Sequence, residues 1–281
     1  MPLHRRLIDA VHSKTERGNF TMIRSMYSGI SGLKNFQTKL DVIGNNIANV
    51  NTYGFKKGRT VFKDLYSQTV AGATAPGNTR GGVNPKQVGL GSQISTIDTI
   101  HSAGSTQFTG NTLDLAIEGD GFFLVGDGDN EFYTRAGVFY LDQEGAIVDG
   151  DGRYLSGGAI NIPPAATSLS IGQNGQVSYV LEGTLTEGPV INLYKFNNPG
   201  GLEKSGGNLY RESPNSGEPL PGEPGGVGGH GVIKSGSLEM SNVDLSEEFT
   251  EMIVAQRGFQ ANTRIITTSD EILQELVNLK R

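Results

Sequence analysis

Cysteine is missing from this 281-residue chain, so disulfides, thiolate metal sites and a cysteine nucleophile are all excluded. Histidine is scarce: His4, His12, His101 and His230 are the whole set, and no spacing among them resembles a zinc site or a Ser-His-Asp arrangement. No run approaches the roughly 18 apolar residues of a membrane span. The opening MPLHRRLIDAVHSKTERGNF lacks the apolar region and the small-residue cleavage site of a secretory signal, so any export takes another route. Asp127, Asp129 and Glu131 alternate as at the start of a calcium loop, but Phe132 stands where glycine is needed and Val138 where a bidentate Glu belongs. Asx-turn chemistry explains those residues better. With so little convergent acid–base machinery, the expectation is no enzyme, no metal and no cofactor.

The net charge of −6 argues against nucleic acid as a partner. Its distribution is polarised: residues 22–63 carry seven basic side chains and one acidic, whereas residues 236–281 carry eight acidic and four basic. The two ends are electrostatically complementary. Exposed pairs of this kind contribute only ~0–1 kcal/mol each, which suits register more than strength.

Both ends are patterned as helices. Leu33, Phe36, Leu40, Ile43, Ile47 and Val50 recur at spacings of three and four, laying a narrow apolar seam on a helix from about Ile23 to Asn49. Leu245, Met252, Phe259, Ile266 and Leu273 recur every seven residues, with Phe249 and Val277 on the adjoining position. Neither seam is wide enough to bury itself, so each needs the other or copies on neighbouring chains. Gly29, Gly32 and Gly44 weaken the first helix by about 1 kcal/mol each relative to Ala. Asn45, Asn46 and Asn49, three amides within five residues, fit either intersubunit hydrogen bonds or helix-end capping. Asp244 followed by Glu247 fits a capping arrangement at the start of the second helix.

Between the helices, glycine (41 in the chain, about twice the usual share) punctuates short alternating runs. These are ISTIDTI, LDLAI, GFFLV, EFYTR, VFYLD, SLSIG, QVSYV and VINLYKF. Phe122, Phe123, Tyr133, Phe139 and Tyr140 read as core and cross-strand pairs, with a sugar-stacking face as the competing reading. The fold expected is α+β: long terminal helices forming a coiled-coil stalk, and an all-β, glycine-rich central domain. Its divisions are a disordered extension or upstream start (1–21), an N-terminal helix (22–56), a linker (57–92), a β domain (93–235) and a C-terminal helix (236–281).

SGISGLKNFQTKLDVIGNNIANVNTYGFKK, from Ser28 to Lys57, resembles the N-terminal signature of the bacterial flagellar rod and hook proteins, whose hallmark is NNIAN followed by T-x-GFK. LDLAIEGDGFFLV and YTRAGVFYLDQEGAIVDGDG are similar to that family's β-domain motifs, and LEMSNVDLSEEFTEMIVAQRGFQANTRIITTSDEILQELVNL to its terminal helix. The resemblance implies an axial protein of the bacterial flagellum, exported unfolded through the flagellar type III apparatus and polymerised with copies of itself. It also implies contacts with other axial proteins, such as rod and hook–filament junction subunits. The terminal segments favour a hook subunit, with the distal rod as the alternative. A secreted carbohydrate-binding or adhesin module is the reading from a different class.

Overall fold

The computed structural model describes the backbone of residues 3–77, 80–126, 130–156, 160–226 and 228–279, with side chains from Arg24 onward. Asp127 and Asp129, weighed as a calcium loop, lie outside the described residues. The protein is α+β: helix α1 (Leu3–Ala48), a strand-rich centre and helix α2 (Leu245–Leu279). Helical backbone begins at Leu3, where the sequence reading has a disordered extension. No proline interrupts residues 3–48 and Gly18 is the only glycine before Gly29, so nothing local stops propagation.

Two compact units divide the chain. The helical unit takes Met1–Asn45, Arg59–Asp98 and Ser246–Arg281, and the β-body takes Asn46–Gly58 and Thr99–Leu245. By this division the NNIAN…GFKK segment falls mostly in the body, and most of the expected linker, 59–92, falls in the helical unit.

In the helical unit α1 and α2 run antiparallel. Gly29 faces Ile266, Gly32 faces Asn262, Phe36 lies over Gly258, and Lys39 bridges Glu251 at 2.9 Å. A Cβ at position 258 would stand 2.6 Å from the tip of the Phe36 ring, so a larger residue here would require that ring to shift. Residues 58–99 form a ribbon of two-stranded sheets, Gly58–Asp64 with Ser92–Thr99 and Ser67–Ala71 with Lys86–Gly89. Asn35 donates to Ser92 Oγ at 2.8 Å and Arg24 to Gln68 Oε1 at 2.9 Å, which ties the ribbon to α1.

The body is built on strand Phe122–Gly126, whose unbroken apolar run is buried on both faces. Phe123 and Val125 enter one cluster with Leu115, Ile117, Phe139, Ile191 and Ile233. Phe122 and Leu124 enter another with Tyr133, Phe196, Leu202 and Tyr210. Around this strand a nine-stranded sheet runs through Glu131–Thr134 and Leu209–Arg211 on one side and Tyr154–Leu155 on the other. Of the five aromatics weighed for sugar stacking, Phe122, Phe123, Tyr133 and Phe139 are core and Tyr140 alone is exposed. The Gly/Pro-rich 214–231 segment, read as a loop or linker, contributes strand Leu220–Gly222, which pairs with Leu193–Lys195.

Candidate functional site: a buried charge cluster behind the terminal motifs

The T-x-GFK segment enters the body immediately after α1. Gly54 has φ +68°, and a Cβ there would meet the Ala136 backbone nitrogen at 2.5 Å, which explains glycine at this place in the motif. Its N–H donates to the Glu239 carbonyl at 2.8 Å. Phe55 is buried, and the Lys204 ammonium lies 5.3 Å from its ring centroid.

Lys56 is fully buried. Its Nζ donates to Glu239 Oε1 at 2.5 Å and to the Ser102 carbonyl at 2.8 Å. Arg135 donates to Glu239 Oε2 at 3.3 Å and to the Gly119 carbonyl at 2.8 Å, and its guanidinium lies 5.2 Å from the Phe122 centroid. The Gly104 N–H also donates to Glu239 Oε1. One carboxylate therefore serves two cations, all three side chains shut off from water. Desolvation holds the Lys56 pKa below the ordinary lysine value, against the opposing pull of Glu239. The expectation of exposed charge pairing between the two ends holds for Lys39 with Glu251 but not here, because the Lys56–Glu239 pair is internal.

Amides complete the arrangement. Asn46 Nδ2 donates to the Gly58 carbonyl and the Gly58 N–H donates back to Asn46 Oδ1, both at 2.9 Å. Asn242 accepts from the Lys57 N–H at 2.8 Å and donates to the Ile100 carbonyl at 2.8 Å, while the Ile100 N–H donates to the Lys57 carbonyl. Asn208 donates to the Tyr53 carbonyl at 3.1 Å. All of these bonds lie within the β-body.

Three family models match the chain. "Flagella basal body rod protein" covers residues 26–56, "Flagellar hook protein FlgE/F/G D1 domain" residues 116–179, and "Flagellar basal body rod FlgEFG protein C-terminal" residues 234–279. The flagellar basal-body rod protein FlgG of Bacillus subtilis (strain 168) is 64% identical over 264 residues, covering 92% of this chain and 100% of that protein. FlgG of Buchnera aphidicola subsp. Schizaphis graminum is 41% identical at the same coverage. The flagellar hook protein FlgE of Borreliella burgdorferi is 32% identical over 443 alignment positions, again covering 92% and 100%. The chain belongs to the flagellar rod and hook protein family. It is a flagellar structural subunit, not an enzyme.

The buried cluster draws one charged residue from each family-matched segment: Lys56 from the first, Arg135 from the second and Glu239 from the third. Sequence reasoning found the three motifs but not this convergence. No helix among the described residues is long and apolar enough to cross a membrane.

The expected seam is placed unevenly. Ile43 is buried, and Leu33, Phe36, Leu40, Ile47 and Val50 are half-buried. On α2, Met252, Phe259, Ile266 and Leu273 are half-buried, whereas Leu245, Phe249 and Val277 are exposed. On α2, Gly258, Asn262 and Ile266 face α1, so the contact takes in one heptad position, Ile266, together with Gly258 and Asn262 beside the heptad. Asn46 finds its partner in the Gly58 backbone of its own chain, Asn49 accepts from the Thr52 hydroxyl, and Asn45 lies on the exposed side of the helix end.

Proposed function

We propose that this chain is a subunit of the distal rod, the axial shaft of the flagellar basal body, and polymerises with copies of itself. The observation that carries this reading is the end-to-end match to a rod protein at 64% identity. The hook relative aligns over 443 positions, more than the 281 residues of this chain, so that protein carries insertions which this one lacks. The hook assignment suggested by the terminal segments therefore gives way to its alternative.

Polymerisation is supported by what α2 leaves uncovered. Ile253, Val254, Ile272, Leu276 and Val277 are each more than 40% exposed. Exposed large apolar side chains in this number on one helix mark an association surface. In the proposed assembly the terminal helices of adjacent copies form a coiled inner layer, using the seams from Leu33 to Val50 and from Leu245 to Val277. Asn45 and Asn49 stand where neighbouring copies can reach them. The subunit travels by flagellar type III export and meets other axial proteins at the ends of the shaft.

Immunogold labelling of sheared and detergent-extracted flagella tests the reading. Label confined to the basal body is expected, and label along the curved hook would overturn it. Complementation of a strain lacking its distal rod protein gives the second readout, with motility restored.

A further inference from the structure

His101 sits beside the buried cluster without belonging to it. Its ring makes edge-to-face contacts with Phe122 and Tyr210, at centroid distances of 5.7 and 5.4 Å. Both ring nitrogens are shut off from solvent and neither has a hydrogen-bond partner. The charges around it are Lys56, Arg135 from the segment after strand Glu131–Thr134, and Lys204 on strand Glu203–Gly206. Tyr210 presents the remaining titratable group, and Glu239 supplies the cluster's carboxylate, both of whose oxygens already accept from Lys56, Arg135 and the Gly104 N–H.

We propose that His101 is an acid-sensitive release for the joint between the terminal motifs and the β-body. Protonating its ring adds a positive charge where Lys56, Arg135 and Lys204 already gather, and the body loses its hold on residues 53–58. The walls around the ring are apolar and aromatic and the charges named beside it are cations, so the neutral form fits there and the charged form does not.

Burial first, and then the three cations, lower the His101 pKa from 6.5 to about 4. The unfolded chain therefore binds a proton between these values that the folded chain refuses. Stability contributed by the neutral ring is complete above pH 6.5, declines as pH falls toward about 4, and changes no further below it. Over that window the folded-to-unfolded ratio drops by about two orders of magnitude.

The test compares the full chain with His101→Phe, which keeps the ring contacts and cannot titrate. Denaturant unfolding of both proteins is followed from pH 8 to pH 3.5, so that carboxylates common to the two cancel in the difference. The ratio of their unfolding constants should be constant above pH 6.5 and shift about 100-fold by pH 4. Hydrogen exchange at the Lys57 and Gly58 amides, compared at equal pH, should rise on acidification in the wild type alone. Parallel stability curves would overturn the proposal. Should His101→Phe fail to fold, ring resonances of the wild-type protein decide the matter, with His230→Gln used for assignment. A His101 ring titrating near 4 supports the release, and one titrating at its ordinary value of about 6.5 refutes it.

Discussion

Glu239 holds the Lys56 ammonium at 2.5 Å across 183 residues of sequence, with neither side chain open to solvent. Arg135 shares the same carboxylate, so the three charges do not balance in pairs: removing the anion strands two cations, whereas removing Lys56 leaves Glu239 with Arg135.

That asymmetry gives the first prediction. Breaking a buried ion pair by deleting one partner costs ~3–5 kcal/mol. Glu239→Gln should lie at or above the top of that range and Lys56→Met below it. Denaturant titrations of the two variants at pH 7 check the order, and equal losses would mean that Arg135 does not take up the vacated carboxylate.

Asn46 binds both backbone polar groups of Gly58. Asn46→Ala leaves an inward N–H and C=O without their partner, at a cost of about 2–4 kcal/mol. The loss should be local: amide exchange at Gly58 accelerates, while the strand Phe122–Gly126 keeps its protection.

Gly54→Ala forces an L side chain into φ +68° and drives its Cβ against the backbone of Arg135 and Ala136, where the Ala136 nitrogen and the Arg135 carbonyl carbon stand 2.5 and 2.6 Å away. Left-handed strain alone costs ~1–2 kcal/mol. Expression of this variant should give protein whose thermal midpoint is lowered by several degrees or that fails to fold. An unchanged midpoint would show that the turn relaxes freely.

The exposed apolar side chains of α2 predict a separation of folding from assembly. Ile272 and Leu276 are 48% and 45% exposed, so Ile272→Glu and Leu276→Glu should leave the monomer's circular dichroism and melting unchanged while blocking polymerisation and motility. Normal assembly in both variants would remove this face from the inner layer.

The strands of the body were legible because they alternate or run apolar between strong turn signals: LDLAI, GFFLV and QVSYV become Leu115–Glu118, Phe122–Gly126 and Gln176–Leu181. The ribbon at 58–99 was legible only in ISTIDTI, which overlaps the strand Ser92–Thr99. Its strands Ser67–Ala71 and Lys86–Gly89 are exposed along almost their whole length, so they carry no apolar face for a period of two to reveal. On α2 the heptad position Ile266 lies against Gly29 of α1, and Gly258 and Asn262, which the heptad does not include, also face α1. Gly29 and Gly32, read as weak points of an isolated helix, lie at that contact. The cluster itself left no local trace. A lysine in GFKK and a glutamate in SLEM look solvated until the fold brings them together, and His101 looked idle because its burial depends on Phe122 and Tyr210.

The bonds around residues 46–58 have a consequence for how the β-body comes apart. Asn208 holds the Tyr53 carbonyl, the Glu239 backbone holds Gly54, the Glu239 carboxylate holds Lys56, and Asn242 with Ile100 holds Lys57. A strip fastened at one point peels from its free edge, bond by bond. This one is fastened at several points along its length to residues far away in sequence, so it leaves the body as a whole or stays in place.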